Sequence, residues 1–405
     1  MLIKNILYKK HKQRNEYIYL FIDNFLYSSL YINLDHRLLS LMYFLFFQGK
    51  PFSFLERKTN SRVINCFVPL VRLIRVLEFT YLFYRKKYLY FKSHNSFPTI
   101  TTSQYGHCLI VVGQGEYKIV NFREKIVTTV FPDNFSINEI EEKISKLKEA
   151  QKCRLAPRII NWDIHRRCME ECYLNLKTSS FEFNKIQKVV FPILKDIILS
   201  KNHQKILLTE YIQNLIKSIE EIIELNTSSD FRNNIKNILE FILFIKEEFN
   251  KHLSKEEIYL VFSHGDFWEG NILKSKTKTK VIDWNTLDMR SYFFDFYFIM
   301  FDKAIKETNG FNITKEINKT FNIFVCNYLK NYLNSNLTTG LINQSESYKY
   351  LFYLEYILLK LQENLELRYL ETKINFFKLY ENNKNTNTSL LKNNQNVNDS
   401  RVENM

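Results

Sequence analysis

Three oxygen-bearing side chains with an unusual spacing lie between residues 261 and 296. Asp266 is followed at the fifth position by Asn271, and Asp283 comes twelve residues after that. Five residues of turn suffice to bring Asp266 and Asn271 into one small space. In such a space a carboxylate can accept the proton of an attacking hydroxyl, and an amide oxygen can hold a magnesium ion. The spacing therefore predicts a loop that combines a general base with a site for a hard cation.

A β-hairpin is expected between Asn271 and Asp283. Residues 274–280 are rich in Lys, Thr and Ser and form the turn, while the apolar pair Val281 and Ile282 buries the returning strand. The end of that strand delivers Asp283 beside the loop as a second cation ligand. Polar residues beside a strand usually only form a turn. The combination of Asp266, Asn271, a hairpin and Asp283 is more specific than a turn.

The same residues resemble a known family. The run HGDFWEGN, from His264 to Asn271, resembles the signature of aminoglycoside phosphotransferase and choline kinase-like enzymes. VIDW at residues 281–284 resembles the metal-binding strand that follows it. The resemblance extends to Asp295, where the family usually carries an Asp before an apolar helix. Between these positions the family tends to have Gly-Asp-Pro, whereas this chain has Arg-Ser-Tyr at residues 290–292.

The resemblance implies a fold and a set of roles. The expected fold is α+β and bilobal, similar to protein kinases, with a small β-rich N-lobe and a larger helical C-lobe. Asp266 would be the catalytic base, and Asn271 and Asp283 would hold the Mg2+ that bridges the phosphates of ATP. We expect His264 to be a buried hydrogen-bonding residue rather than a proton shuttle. The residues expected to support the loop are His264, Gly265 and Asp295.

Residues 106–131 are predicted to form the N-lobe hairpins, because apolar runs alternate there with short turns. Gly113 and Gly115 mark the candidate phosphate-covering turn, where missing side chains let backbone N–H groups approach phosphate oxygens. A plain hairpin turn is the alternative. A kinase-like lobe usually carries a phosphate-binding lysine on the next strand, and Thr129 occupies its expected place.

Lys118 is the predicted replacement for the missing lysine. If Arg123 and Glu124 form a two-residue turn, Lys118 lies directly opposite Thr129, and opposed residues share a face with Cβ atoms about 5 Å apart. Its ammonium then reaches the same space, similar to the with-no-lysine protein kinases, whose lysine comes from the neighbouring strand. A register slip of one residue would turn Lys118 outward and exclude this role.

A helix is predicted to begin after Ser136, which can form a capping box with Glu139. The family uses a Glu on this helix to hold the phosphate-binding lysine, and Glu139 is the nearest match. As a cap partner Glu139 would already be occupied, so Glu142 is the alternative. From about residue 180 to 258, apolar residues recur at three- and four-residue steps, which predicts the helical scaffold of the C-lobe.

The basic charge is concentrated before the kinase-like region. The 405-residue chain has a net charge of +14, and residues 1–100 hold 16 Lys and Arg against 5 Asp and Glu, so +11 lies in the first quarter. Residues 1–97 are predicted to be a basic, aromatic-rich helical extension. It either lies on an anionic membrane surface or packs on the kinase core with a solvated basic rim, which we favour. Nucleic-acid binding is disfavoured because no binding motif accompanies the charge.

No targeting segment is predicted. The apolar run at residues 38–47 is about half of the roughly 20 residues that a membrane-spanning helix needs, and the N-terminus lacks the pattern of a signal peptide. The 6 cysteines show no Cys-x-x-Cys pair and no zinc-finger spacing, which predicts reduced thiols. We expect a cytoplasmic protein, peripheral at the inner membrane face if the extension contacts lipid.

The predicted divisions are the extension (1–97), an N-lobe (98–175), a C-lobe (176–380) and a disordered Asn-rich tail (381–405). The predicted activity is transfer of the ATP γ-phosphoryl group to a hydroxyl of a small molecule or glycan, such as a sugar, an amino alcohol or an aminoglycoside-like compound. A near-neutral kinase part favours a sugar or envelope glycan over a polycation. The competing prediction is a catalytically inactive, kinase-like nucleotide-binding or scaffolding protein at the membrane surface.

Overall fold

The computed structural model describes residues 16–23, 30–48, 62–93, 97–112, 115–178, 181–201, 203–226, 235–251, 256–275, 277–307, 313–363 and 367–382. The chain divides into two compact units. Unit 1 comprises Met1–Gln151, Ala156–Thr178 and Leu273–Lys280, and unit 2 comprises Lys152–Leu155, Ser179–Ile272 and Val281–Met405. Residue 97 is therefore not a boundary between these units. Residues 383–405 of the predicted disordered tail lie outside the described residues.

The strands and helices have the following bounds. The strands are β1 (Tyr17–Phe21), β2 (Leu30–Asn33), β3 (Thr99–Thr102), β4 (Cys108–Val111), β5 (Tyr117–Asn121), β6 (Ile126–Val130), β7 (Ile159–Asp163), β8 (Cys168–Cys172), β9 (Lys177–Thr178), β10 (Gln204–Leu207), β11 (Glu257–Ser263), β12 (Ile272–Lys274), β13 (Thr279–Val281) and β14 (Asp288–Ser291). The α-helices are α1 (Leu38–Tyr43), α2 (Arg62–Ser93), α3 (Ile137–Ala150), α4 (Ile186–Val189), α5 (Phe191–Ile198), α6 (Leu208–Leu225), α7 (Lys236–Lys251), α8 (Phe294–Glu307), α9 (Ile313–Asn322), α10 (Ser335–Asn343), α11 (Ser345–Gln362) and α12 (residues 367–382).

Unit 1 is built on an antiparallel sheet, which in the described residues has eight strands in the order β3-β1-β2-β4-β5-β6-β8-β7. Successive side chains of a strand point to opposite faces, so the sheet separates two apolar clusters. A small cluster on one face includes Tyr19 and Ile119. A larger cluster on the other face includes Leu20 and Val120.

Helix α2 covers the larger cluster. Its residues Val76, Phe79 and Phe83 are buried in that cluster. The predicted extension thus contains a long helix, as expected, but also β1 and β2, which were not predicted. Residues on both faces of β1 are buried, so its sequence lacks the alternation of polar and apolar residues that marks a half-exposed strand.

Unit 2 is mainly helical and is centred on α11, of whose eighteen residues thirteen are buried. Helices α6, α7 and α8 pack against it. A three-stranded sheet of order β10-β11-β14 lies in the same unit. Strand β10 interrupts the stretch predicted to be helical, because residues 204–207 pair with β11. The predicted class, α+β with a β-rich N-terminal part and a helical C-terminal part, is confirmed.

Two exclusions hold for the described part of the chain. No helix there is long and apolar enough to cross a membrane. No group of three His, Cys, Asp or Glu side chains there could hold a metal ion.

Candidate active site

The loop predicted to carry the chemistry begins where β11 ends, and Asp295 fixes its start. The Asp295 carboxylate accepts hydrogen bonds from the backbone N–H of His264 at 2.7 Å and of Gly265 at 3.0 Å. It also accepts one from the hydroxyl of Ser263 at 3.0 Å. Asp295 lies in the first turn of α8, where a negative charge is favoured by the helix dipole. The loop is therefore anchored to a rigid helix.

His264 is fully buried and hydrogen-bonded, as predicted. Its Nδ1 accepts a hydrogen bond from the N–H of Asp266 at 3.2 Å, and its Nε2 lies 3.0 Å from the carbonyl oxygen of Ile282. These two partners assign the proton to Nε2, because Nδ1 acts as the acceptor. The ring also packs against Trp284, with centroids 4.5 Å apart. His264 thus joins the loop to the end of the hairpin.

Gly265 occupies a position that excludes a side chain. Its φ is +85°, and an added Cβ would lie 2.5 Å from the carbonyl oxygen of Thr286 and 2.8 Å from Nη1 of Arg290. A side chain would meet both the left-handed backbone and these atoms. The sharp turn at Gly265 sets the direction in which the chain continues to Asp266.

Asp266 and Asn271 are in direct contact. The Asn271 Nδ2 donates to the carbonyl oxygen of Asp266 at 2.9 Å and to its carboxylate Oδ2 at 3.2 Å. Asn271 is buried, whereas the Asp266 side chain is 28% exposed. Because Nδ2 makes both of these bonds, Oδ1 is the side-chain atom of Asn271 that can act as a cation ligand. The structure thus brings together the pair that the five-residue spacing predicts.

Asp283 follows β13 and lies next to Asn271 along the hairpin. The N–H of Ile282 donates to the carbonyl oxygen of Asn271 at 3.0 Å. Asp283 has φ +66°, in the left-handed region that residues other than glycine rarely adopt. Its exposed carboxylate accepts a hydrogen bond from Asn285 at 2.9 Å. A strained backbone held by its surroundings is a feature that clusters at functional sites.

The donor set around the loop fits Mg2+. It consists of the amide oxygen of Asn271 and the carboxylate of Asp283. Mg2+ binds proteins through one or two carboxylates and keeps waters and phosphate oxygens as its other ligands. A set this small therefore suits a cation that arrives with a nucleotide.

Lys360 is a residue of this site that sequence reasoning missed. Its ammonium lies 3.9 Å from Oδ1 of Asp266 and 2.7 Å from the carboxylate of Glu363. The side chain is only 6% exposed and packs over the rings of Phe298 and Tyr356. Because Lys360 follows Asp266 by 94 residues, no local spacing connects the two.

Two further carboxylates, those of Glu269 and Asp302, are paired with lysines that are little exposed. Glu269, in the loop itself, lies 2.9 Å from Lys303, whose side chain is 3% exposed. Asp302 lies 3.9 Å from Lys373, whose side chain is 11% exposed. The neighbouring phenols add hydrogen-bonding groups. Burial raises the pKa of Tyr356 and Tyr369, so both hydroxyls stay protonated.

Glu355 holds the chain at Ser291 through hydrogen bonds from a distant helix. Its carboxylate accepts bonds from the N–H of Ser291 at 2.6 Å, from the Ser291 hydroxyl at 2.5 Å and from the Tyr211 hydroxyl at 2.6 Å. Burial in α11 raises the pKa of Glu355 to about 7, although these bonds oppose the shift. A carboxylate from a distant helix thus holds the turn that leads into α8.

Lys118 has the predicted register in unit 1. It lies directly opposite Thr129, and the pairing of β5 with β6 keeps that register from Tyr117 to Asn121. Gly115 has φ +96°, and its N–H donates to the carbonyl oxygen of Val112 at 2.7 Å. Gly113 lies outside the described residues. The hairpin geometry that was needed for the lysine replacement is confirmed, and its role stays a prediction.

Glu139 is occupied by a capping box, as its spacing from Ser136 indicates. The N–H and the hydroxyl of Ser136 donate to its carboxylate at 2.6 and 2.7 Å, and these bonds lower its pKa. Glu142, the alternative, pairs with Lys146 at 2.7 Å. These contacts do not support Glu139 as the partner of a phosphate-binding lysine.

The elements described above are a β-rich unit and a helical unit, with the Asp-loop-Asn and hairpin-Asp pattern at residues 266–283. The profile of the ecdysteroid kinase-like family matches residues 175–317, about a third of the chain. This range includes Asp266, Asn271, Asp283 and Asp295. The prediction of a small-molecule kinase that phosphorylates an alcohol agrees with this match.

Several solved kinase structures are similar to the chain. The choline kinase of Streptococcus pneumoniae is 12% identical over 66% of this chain and 89% of its own, with a TM-score of 0.40. The ethanolamine kinase of Plasmodium vivax is 15% identical over 67% and 79%, with a TM-score of 0.44. A glucosamine kinase bound to glucosamine, ADP and phosphate is 11% identical over 71% and 83%, with a TM-score of 0.38. No curated protein matches this chain.

Proposed function

We propose that this chain is an ATP- and Mg2+-dependent phosphotransferase that acts on a hydroxyl of a small molecule or glycan. One observation carries the proposal. The side-chain amide of Asn271 donates to both the backbone carbonyl and the carboxylate of Asp266. The backbone carbonyl of Asn271 accepts a hydrogen bond from the N–H of Ile282, the residue before Asp283. A base and two cation ligands are thus connected through a single buried amide residue.

Each of these residues has a distinct task in the proposed reaction. Asp266 orients the acceptor hydroxyl and takes its proton as the oxygen attacks phosphorus. Asn271 and Asp283 would hold Mg2+, which when bound neutralises charge on the phosphates. Lys118 would place its ammonium on the α- and β-phosphates in place of the lysine that Thr129 replaces. Phosphoryl transfer depends mostly on positioning and charge, so few residues are needed.

The charges around Asp266 favour an uncharged acceptor. A polycationic substrate needs carboxylates that are free to bind it, whereas Glu269, Asp302 and Glu363 are each paired with a lysine. Lys360 also places a buried ammonium within 3.9 Å of the proposed base, where a substrate amine would meet a like charge. We therefore propose a sugar or glycan hydroxyl as the acceptor.

Calorimetry of magnesium-ATP binding tests the nucleotide site. We expect the wild type to bind ATP only with Mg2+, and Asp283→Ala to lose that binding. Lys118→Ala tests the lysine separately: binding that is lost in Asp283→Ala but kept in Lys118→Ala would preserve the kinase proposal and remove the role of Lys118. If the folded wild type does not bind magnesium-ATP, the proposal fails and an inactive scaffolding role takes its place.

ADP release with paired acceptors tests the acceptor class. Glucosamine and N-acetylglucosamine differ in one positive charge, and we expect the uncharged sugar to be the better substrate. A preference for the charged sugar, or equal rates with both, would contradict the argument from Lys360 without affecting nucleotide binding.

The proposed place of action is the cytoplasm, at the inner membrane face. The support for it is the charge of the first hundred residues together with the surface of α2. Membrane binding through that surface does not depend on the kinase activity.

A further inference from the structure

Helix α2 has two apolar faces, and one of them is exposed. The covered face, with Val76, Phe79 and Phe83, packs on the sheet of unit 1. The opposite face carries seven large apolar side chains that are 38–64% exposed. These residues, which we call the outer stripe, are Phe67, Leu70, Val71, Ile74, Leu77, Tyr81 and Tyr88.

The outer stripe is continuous along the helix. At about 100° per residue, its members fall within a sector of about 120°, and the buried residues fall on the opposite side. A helix that is apolar on all sides is normally buried on all sides. Contiguous exposed apolar side chains on this scale mark an interaction surface. Leu38 and Leu39 on α1, and Phe47 after it, are also exposed, and α1 contacts α2.

Positive charge accompanies the outer stripe. Arg85 and Lys92 continue the same sector of the helix after Tyr81. Glu78, the acidic residue in this sector, forms an ion pair with Arg75 at 2.6 Å, so its charge is compensated. An apolar stripe that ends in aromatic and cationic side chains matches the boundary between acyl chains and anionic headgroups. A second copy of the chain would instead bring a second set of cations to the same contact.

We propose that α2 docks the protein on an anionic membrane surface through the outer stripe. The apolar residues from Phe67 to Tyr81 enter the headgroup and acyl boundary, while Arg85 and Lys92 bind lipid phosphates. The helix lies in the plane of the interface because its other face is held in the core of unit 1. Docking of this kind leaves the fold of the unit unchanged.

Sedimentation of the full chain with vesicles tests this surface. We expect binding to phosphatidylcholine vesicles that contain phosphatidylserine, and weaker binding to phosphatidylcholine alone or at raised salt. The double variant Leu70→Asp and Ile74→Asp is expected to bind roughly tenfold more weakly, because two apolar contacts become charged. The matched control is Leu243→Asp on α7, which changes a leucine that is 57% exposed and distant in sequence. It should bind like the wild type.

Three results would overturn the proposal. The folded wild type could fail to sediment with either kind of vesicle, or the double variant could sediment as well as the wild type. The wild type could also be a dimer in light scattering that the double variant converts to a monomer, in which case a second copy covers the stripe. Thermal unfolding of each variant checks that the substitutions, all at exposed positions, leave the fold intact.

Discussion

Asn271 and Lys360 show how differently single residues of one site can be connected to Asp266. Asn271 reaches it across a five-residue loop through two hydrogen bonds. Lys360 reaches it from the last turns of α11, with its ammonium fixed by Glu363 and by two aromatic rings. A buried ammonium interacts far more strongly with a neighbouring carboxylate than an exposed ammonium does, because water screens the charge less.

Lys360→Met is expected to reduce the rate of phosphoryl transfer rather than nucleotide affinity. The methionine keeps the apolar stem but removes the charge that lies beside the base, so kcat should fall roughly tenfold or more while KM for ATP changes little. Steady-state ADP release at saturating N-acetylglucosamine measures both constants. Lys205→Met, which removes an exposed ion pair with Glu257, is the matched control. An unchanged kcat for Lys360→Met would show that the lysine has only a packing role.

The residues that sequence could assign are those whose partners are local. A loop and a hairpin connect Asp266, Asn271 and Asp283. Lys118 lies opposite Thr129 because a single turn sets the register of the two strands that it joins. Lys360 could not be found this way, because only the packing of α11 determines its place. Glu139 was assigned by analogy, whereas its own spacing from Ser136 already indicated the competing cap.

At the scale of elements, Glu355 connects α11 to the strand and turn that lead into α8. It accepts three hydrogen bonds, two from Ser291 and one from Tyr211. Its pKa in the folded protein is raised from 4.5 to about 7, chiefly by burial. A raised folded-state pKa of a carboxyl group means that the folded chain holds the proton more tightly than the unfolded chain.

Glu355→Gln is expected to remove a pH dependence of stability. The contribution of Glu355 is fully present below about pH 4.5 and is lost as the pH rises to about 7, because the unfolded chain then gives up a proton that the folded chain retains. A rise of this pKa from 4.5 to about 7 corresponds to about 3 kcal/mol in the free energy of unfolding. The free energy of unfolding, compared between wild type and variant across this range, measures it. The amide can keep the geometry, with its oxygen toward Tyr211 and its NH2 donating to the Ser291 hydroxyl.

Tyr211→Phe provides a second test of the same interaction. The Tyr211 hydroxyl donates to Glu355 and so opposes the rise of its pKa. Removal of this hydroxyl should raise the folded-state pKa of Glu355, so that stability continues to fall to a pH above about 7. Parallel stability profiles for wild type and Glu355→Gln would instead show that Glu355 does not titrate between folded and unfolded states in this range.

At the scale of the whole molecule, the basic first quarter of the chain is part of unit 1 and not an appendage to it. β1 and β2 lie within the sheet, and α2 covers one of its faces. The charge of this segment follows directly from its composition. Its strands were not predicted, because strands buried on both faces lack the alternation of polar and apolar residues. The two faces of α2 also escaped detection, since apolar residues on both sides of a helix cancel the amphipathic signal.

Phe79 and Phe67 separate the structural face of α2 from its exposed face. Phe79 is fully buried in the larger cluster of unit 1, whereas Phe67 is 58% exposed in the outer stripe. Phe79→Ala should lower the free energy of unfolding of unit 1 by about 3–5 kcal/mol, because it leaves a cavity in the core. Phe67→Ala should change it by no more than about 0.5 kcal/mol while weakening vesicle binding. Urea denaturation and vesicle sedimentation of both variants give this comparison. Equal stability of the two variants would mean that α2 does not cover the sheet, and the basic segment would then be an appendage after all.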